Sequence, residues 1–439
     1  MPAAFFAIVS LESGMISNLT KIQTIKRYGF FLEADYARHY LGSAYLARLA
    51  IPHYVLIGES IGHRPHPLFD PIAFRKKAGS RVRRAECAVI AYIERFAAED
   101  VSPSAEFDHG WYAWQNPDWG HAFSHPFLHC VIAGLPAGRD PAPGIDVRQL
   151  VQTSGLSGTR IASAMYDEIC RHGRLSDSYA IYSFDDLRAR QDAFRKAIRV
   201  EKLIDRRVTK RRFLVFVQAN CEFHRNFLCQ RRTFDVLLNH YDRLPDKPNV
   251  AAEIVIYQRG TKTTAVSKLL EIDPDLLTSY DAVLFLDDDI DLTTQQIERL
   301  FAIMTEHDLD LVQPSLSAES DCVWHVFKQP NVGDGVRRVN SVEIMMPCLS
   351  RHALKEVGWV FSESVSGFGV DLLLGHMLST RGDARAGVVG SVVARHEKKI
   401  DDGRGSFYNV MRANKINPKM ELWSIVKRFN VTPNFVYIP

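Results

Sequence analysis

The stretch that decides the fold is Tyr280–Thr293, YDAVLFLDDDIDLT. Its apolar run, Ala282 to Leu286, fits a buried strand, and it leads directly into Asp287, Asp288 and Asp289, with Asp291 close behind. In open α/β sheets the ligand crevice lies outside the carboxyl ends of the strands. Three acids at such an end repel one another unless a cation or bound ligand compensates. Their hard oxygens suit Mg²⁺ or Mn²⁺, with substrate phosphates completing the shell. The bland alternative is an acidic strand-to-helix turn in which Asp291 or Thr293 caps the next helix.

Outward from this point, short apolar runs alternate with helical segments: Phe213–Val217, Phe234–Leu238, Glu253–Tyr257, Leu309–Val312 and Val342–Met346. That alternation predicts an α/β domain with a mainly parallel sheet over residues 210–397. Residues 186–209, rich in Arg and Lys, read as a solvated helical connector. Residues 398–439 form a C-terminal extension carrying Lys398, Lys399, Arg404, Phe407 and Tyr408 around glycines. Three readings are open for it: a lid, packing on the core, or a membrane-surface contact.

The first half follows a different grammar. Phe69-Asp70, Phe107-Asp108 and Ile145-Asp146 recur at a spacing of 38, and Phe184-Asp185 follows 39 residues later. Pro65, Pro103 and Pro141 keep the same register, as do Tyr54, Tyr92 and Cys130, while Gly58, Gly134 and Gly173 mark a turn and Phe31 starts the array. After a lead of residues 1–30, about four helical units over 31–185 are therefore expected to stack, since none can bury its apolar face alone. In the third unit the helices are read as Phe107–Gln115 and Pro126–Ile132. The histidines here (His53, His63, His66, His121, His125, His129) lack metal-ligand spacing and read as packing or surface residues. Residues 146–175 could pass for a helix-turn-helix, but they hold the repeat register, so the fourth unit is the preferred reading.

Composition narrows the class. Of 439 residues, 46% are hydrophobic and 24% charged, which suits two or three folded domains. The net charge of +3 is small for a protein whose task is gripping nucleic acid. Seven scattered cysteines without a CxxC pair argue against a disulfide or zinc framework. The opening run MPAAFFAIVSLESGM reads as a poor signal peptide, and no window is apolar enough to span a bilayer. A cytoplasmic protein is expected, with a peripheral contact at the inner membrane as an option.

Two resemblances follow from these residues. The third unit, through Phe107, Asp108, Tyr112, Asn116, Pro117, Asp118, Pro126, His129, Gly138, Arg139, Pro141 and Pro143, resembles repeats found beside bacterial surface-polysaccharide glycosyltransferases. A hydrophobic strand ending in Asp-x-Asp resembles the donor-metal motif of GT-A-fold glycosyltransferases. More specifically, residues 210–397 resemble an uncharacterised glycosyltransferase-like family of plants and bacteria. The likeness rests on Asp287-Asp288-Asp289, Gln313-Pro314-Ser315-Leu316-Ser317, Val342-Glu343-Ile344-Met345-Met346-Pro347 and Ser366-Gly367-Phe368-Gly369-Val370-Asp371 in order, with Gly260-Thr261-Lys262 upstream and His396 after the last strand.

The resemblance implies a GT-A, Rossmann-like catalytic domain behind an all-α repeat domain. It implies a nucleotide-diphosphate sugar donor with Mn²⁺ or Mg²⁺. Asp287, Asp289 and His396 are the metal candidates, and Asp287, Asp288, Lys262, Gly367 and Gly369 the donor-binding ones. Asp371, opening a helix from Leu372 to Leu378, is the candidate base of an inverting transfer, with Glu343 as the alternative. The implied acceptor is a hydroxyl of a glycan or lipid-linked glycan in bacterial surface-polysaccharide assembly. The repeats would engage the acceptor, assembly proteins or another copy. Competing readings are a glycoside hydrolase built on paired carboxylates, a non-catalytic scaffold with an inactive transferase fold, and a DNA-binding regulator through 146–175.

Overall fold

The computed structural model describes residues 17–173, 175, 183–243, 251–380, 382, 385–399 and 405–438. The whole opening run, MPAAFFAIVSLESGM, and Arg404 of the C-terminal extension lie outside the described residues. The chain divides into two compact units, Met1–Tyr182 and Ser183–Pro439.

The first unit is helical, and its repetition has a backbone cause. Asp70, Asp108 and Asp146 each cap a helix, accepting the amide three residues on at 2.9, 2.9 and 3.0 Å. The amides of Leu32, Asp70 and Asp108, 38 residues apart, bond the carbonyls of Pro65, Pro103 and Pro141, which share that spacing. Each unit is thus closed by the same bond, from its first helix start to its own proline joint, and this fixes the register. The second segments are shorter than the sequence suggests: Pro126–His129 is α-helical and runs into a π-turn, Cys130–Gly134. Tyr92–Phe96 forms the equivalent π-turn one unit earlier.

These turns enclose a small device. Tyr36 bonds His53 Nδ1 and Tyr112 bonds His129 Nδ1, both at 2.9 Å. A Cβ on Gly58 or Gly134 would collide with the respective hydroxyl. In the unit between, the equivalent positions are Phe74, Ala91 and Phe96, and the two Phe rings pack edge to face at 5.3 Å. The hydroxyl, its partner and the glycine are lost together. His66 and His125 accept backbone amides, from Leu68 and Leu128, and His63 shares the Tyr36 hydroxyl at 3.1 Å, so five of the six histidines are held by bonds within this unit. The helix Arg160–His172, the basic half of the helix-turn-helix pattern, buries Ile161, Met165, Tyr166 and Ile169 in this core.

Phe184-Asp185 does not continue the array. Ser183, not Asp185, caps the helix Phe184–Ala197, and that helix belongs to the second unit. Nor is 186–209 a solvated connector. Gln191 is buried against Glu421, and Lys202–Asp205 forms an edge strand.

The second unit is built on a mixed sheet. Its strands are β1 (Lys202–Asp205), β2 (Phe213–Ala219), β3 (Phe234–His240), β4 (Ile254–Tyr257), β5 (Ala282–Asp287), β6 (Ile290–Asp291), β7 (Leu311–Leu316), β8 (Val336–Arg338), β9 (Cys348–Ser350) and β10 (Ala386–His396). Their order is β1-β4-β3-β2-β5-β9-β7-β10-β6, with β8 on β10. Strands β2 to β5 run parallel, β9 is inserted antiparallel between β5 and β7, and β10 lies parallel to β7. This is the expected class in outline, a mixed α/β sheet preceded by an all-α unit.

The sheet departs from the reading at Val342–Met346, which is not a strand. The strand begins at Cys348, beyond Pro347, which has no amide to give a ladder. The segment instead crosses the end of β5, giving the carbonyls of Pro347 and Met345 to the amides of Phe285 and Asp287. That irregular crossing brings Glu343 to the carboxyl end of the sheet.

Candidate active site

The acidic turn sits where the strand rule puts it, at the carboxyl end of β5. Thr293 caps the following helix, Thr294–Glu306, in a capping box with Gln296, so capping leaves the aspartates free for other work. Asp291 pairs with Arg395 across the β6–β10 bridge at 3.6 Å.

The three remaining aspartates have different partners. Asp287 Oδ1 is paired with Lys262 Nζ at 2.7 Å, and that ammonium also bonds the Met345 carbonyl at 3.0 Å. Lys262 is only 6% exposed, so it is no loop lysine on the surface. It is the first residue of the helix Lys262–Ile272, whose cap, Thr261, anchors the preceding loop. Buried amides fix that loop from below: Gln218 bonds Asn239 at 2.8 Å and the Gly260 carbonyl at 3.2 Å. Burial raises the Asp287 carboxyl despite Lys262.

Asp288 is held as a structural acid. It accepts the Asn220 side chain at 2.7 Å and the Tyr241 hydroxyl at 3.2 Å, while Lys398 approaches its other oxygen at 3.3 Å. Asp289 faces His396 Nε2 at 3.6 Å and Lys398 at 3.5 Å. Burial works against its charge, yet these two cations hold its carboxyl below the usual range. The Asp289 contact in turn raises His396, whose Nδ1 lies 3.2 Å from the Asp321 carbonyl.

The two candidate bases lie near these acids. Asp371 is the second residue of the helix Val370–Ser379, and its carboxylate accepts the Leu372 amide at 2.8 Å. Gly369, not Asp371, is the cap residue. Burial pushes Asp371 up to about 7 even though several backbone amides pull it down. Glu343 is pushed up to about 8 by burial and by Asp371, with Asp287 adding and His396 and Lys262 opposing. Asp371, His396, Asp287 and Lys262 thus all lie near enough to Glu343 to bias its charge, with Asp287 and Lys262 directly paired.

One of the two candidate glycines is committed to packing. Gly367 and Gly369 adopt left-handed φ of 92° and 84°. A Cβ on Gly369 would press on Leu422 and Ile425, so this glycine admits the helix Pro418–Phe429 rather than a ligand. That helix carries the residue the sequence did not reveal. Glu421 is fully buried and accepts Gln191, Val365, Ser366 and Ser364 at 2.6, 2.7, 2.8 and 3.0 Å. It fixes the turn that presents Asp371, which makes the helix part of the body of the domain and not a lid.

No group of three or more His, Cys, Asp or Glu side chains is arranged to hold a metal among the described residues. The expected trio of Asp287, Asp289 and His396 is divided by Lys262, which engages Asp287. Asp289 and His396 do converge, and a carboxylate with an imidazole fits one side of an open cation site completed by water and phosphate.

Residues 222–341 match a family described as a protein of unknown function (DUF707), inside the 210–397 stretch whose motifs opened the functional reading. No curated protein matches the chain. Among solved structures the chain is similar to residues 1–349 of Staphylococcus aureus TarS in complex with UDP-GlcNAc, at 14% identity over 50% of this chain and 72% of that one, with a TM-score of 0.30. It is similar to S. aureus TarS in a second structure at 14% identity over 50% and 43%, TM-score 0.30. A197 from STIV is similar at 14% identity over 44% and 87%, TM-score 0.26. At such scores these likenesses carry no weight for substrate or mechanism, which rest on the geometry of the cleft. No helix among the described residues is long and apolar enough to cross a membrane.

Proposed function

We propose that the α/β unit is an inverting glycosyltransferase that moves a sugar from a nucleotide-diphosphate donor to a hydroxyl of a glycan or lipid-linked glycan. Its setting would be the cytoplasmic side of bacterial surface-polysaccharide assembly. The observation that carries the reading is the division of labour among neighbouring acids. A carboxylate kept ionised, Asp289, stands beside His396, while Asp371, poised near neutrality, and Glu343, raised further, lie nearby.

In this mechanism Asp371 accepts the proton of the acceptor hydroxyl as its oxygen bonds the anomeric carbon. The bond from that carbon to the diphosphate oxygen breaks, and the nucleoside diphosphate leaves with the electron pair. Glu343, protonated at neutral pH, donates a hydrogen bond to the sugar or acceptor. Lys262 holds Asp287 and adds positive charge at the floor. Mn²⁺ or Mg²⁺, held by Asp289 and His396, would supply charge neutralisation for the diphosphate.

The test is incubation of the purified protein with a panel of nucleotide sugars, UDP-GlcNAc among them, in the presence of Mn²⁺. Donor hydrolysis or transfer is expected, reduced by Asp289→Asn. Absence of both, or hydrolysis indifferent to that substitution, would overturn the proposal. A glycoside hydrolase would need neither nucleotide nor metal, so glycan cleavage that persists in the presence of a chelator would favour that reading instead.

A further inference from the structure

The first helical unit carries a surface that the proposed chemistry does not use. The 3₁₀ turn Ala44–Leu49, AYLARL, buries none of its residues. Tyr45 is 95% exposed, and Leu46 and Leu49, one 3₁₀ repeat apart, share an edge that is open to solvent. Leu56, Ile57, Ile61 and Ile72 are also exposed, and Ile72 packs beside Gly62, next to Ile61. So many large aliphatic side chains within one short stretch exceed what scattered surface residues explain.

Charge identifies the occupant. Residues 17–84 contain twelve Lys and Arg against four Asp and Glu, and of the twelve Arg38, Arg64, Arg75, Arg81 and Arg83 are ion-paired, partly with acids beyond residue 84. Exposed Arg48, Lys76 and Arg84 make no ion pair among the described residues. Aliphatic side chains interleaved with unpaired cations suit the interface of an anionic bilayer, where lipid tails take the former and headgroup phosphates the latter. A second copy of so basic a face would be repelled. A nucleic acid would satisfy the cations and leave the Leu and Ile side chains in water.

We propose that the face formed by Ala44–Leu49 and the following exposed Leu and Ile residues docks this protein on anionic membrane surfaces. This does not depend on the transferase reading. It is tested by co-sedimenting the full-length chain with vesicles containing roughly one-third phosphatidylglycerol and with neutral phosphatidylcholine vesicles. Binding to the anionic vesicles should weaken as salt rises. Leu46→Glu with Leu49→Glu should lower the partition by about tenfold or more, and so should Arg48→Glu with Lys76→Glu and Arg84→Glu. All these positions are exposed, and unchanged circular-dichroism melting shows that the variants fold. Equal binding to both vesicle types, or binding untouched by either variant, would overturn the proposal. So would a dimer in light scattering that Leu46→Glu disperses, since the face would then be a self-interface.

Discussion

Replacing Glu421 by Gln changes one atom in a buried side chain, and its cost can be worked out from the bonds it makes. One carboxylate oxygen accepts Gln191 Nε2 at 2.6 Å and the Val365 amide at 2.7 Å. The other accepts the Ser366 amide at 2.8 Å and the Ser364 hydroxyl at 3.0 Å. A glutamine must turn its NH₂ toward one of these pairs. The less costly choice faces Ser364, whose hydroxyl can rotate to accept, but it leaves the Ser366 amide buried against another donor. An orphaned buried donor costs about 1–3 kcal/mol, and the surviving bonds lose the extra strength of a charged acceptor. Together these predict roughly 2–4 kcal/mol of destabilisation. Because the chain has two units, the measurement is the chemical unfolding transition of the α/β unit, paired with hydrogen exchange at Val365 and Ser366. Faster exchange at both amides and a lower midpoint are expected, together with slower transfer because Asp371 follows this turn. A change below about 1 kcal/mol, or protection retained at both amides, would refute the account of how the turn is held.

Other consequences are simpler. Asp371→Asn should reduce transfer by about 10²–10⁴-fold, and wild-type transfer should rise with pH through about 7, where the carboxyl becomes a base. The sign for stability is the reverse. A carboxyl raised in the folded state weakens the fold as pH climbs from its ordinary range past the folded value, so Asp371→Asn should melt higher than wild type at pH 8 and gain little at pH 4. In the repeats, Gly134→Ala drives a methyl into the Tyr112 hydroxyl and should cost about 1–3 kcal/mol. Adding Tyr112→Phe removes that hydroxyl and should recover much of the loss. A double-mutant cycle with no coupling would contradict the device seen at Tyr36 and Tyr112.

What was legible in the sequence was whatever a local pattern encodes. Ala282–Leu286 had to be a buried strand, and the acids after it had to lie at its carboxyl end. The recurring Asp70, Asp108 and Asp146 had to cap, because their 38-residue spacing repeats a helix start. What was not legible depends on partners distant in the chain. Val342–Met346 looks like a strand by composition, but Pro347 and the end of β5 turn it into a crossing that carries Glu343. Lys262 and Glu421 are long-chain ions of a type usually exposed, and only the fold provides the partners that bury them. Phe184-Asp185 kept the repeat spelling while Ser183 took the cap. In the crossing, at Lys262 and at Glu421 a local signal yielded to a bond made from far along the chain, whereas at Phe184-Asp185 it yielded to a stronger cap one residue upstream.

Charge sets the last requirement of the cleft. Asp287, Asp288, Asp289, Glu343 and Asp371 gather there, and a donor diphosphate adds more negative charge. The resident cations are largely committed: Lys262 to Asp287, and Arg225 to Glu397 and the Asp288 carbonyl. Lys398 is the exception. It is 65% exposed at its side chain and lies 3.3 and 3.5 Å from Asp288 and Asp289. An exposed ammonium in that position competes with any divalent cation for Asp289, and it is the group a diphosphate would draw away. At such exposure the competition amounts to at most about 1 kcal/mol, or roughly fivefold in affinity. Lys398→Ala should therefore tighten Mn²⁺ binding two- to fivefold in calorimetry without nucleotide, by roughly that screened Coulomb energy, whereas Asp289→Asn and His396→Gln should abolish it. Weaker Mn²⁺ binding in Lys398→Ala, or UDP binding indifferent to a chelator, would show that the cleft balances the diphosphate with its own side chains.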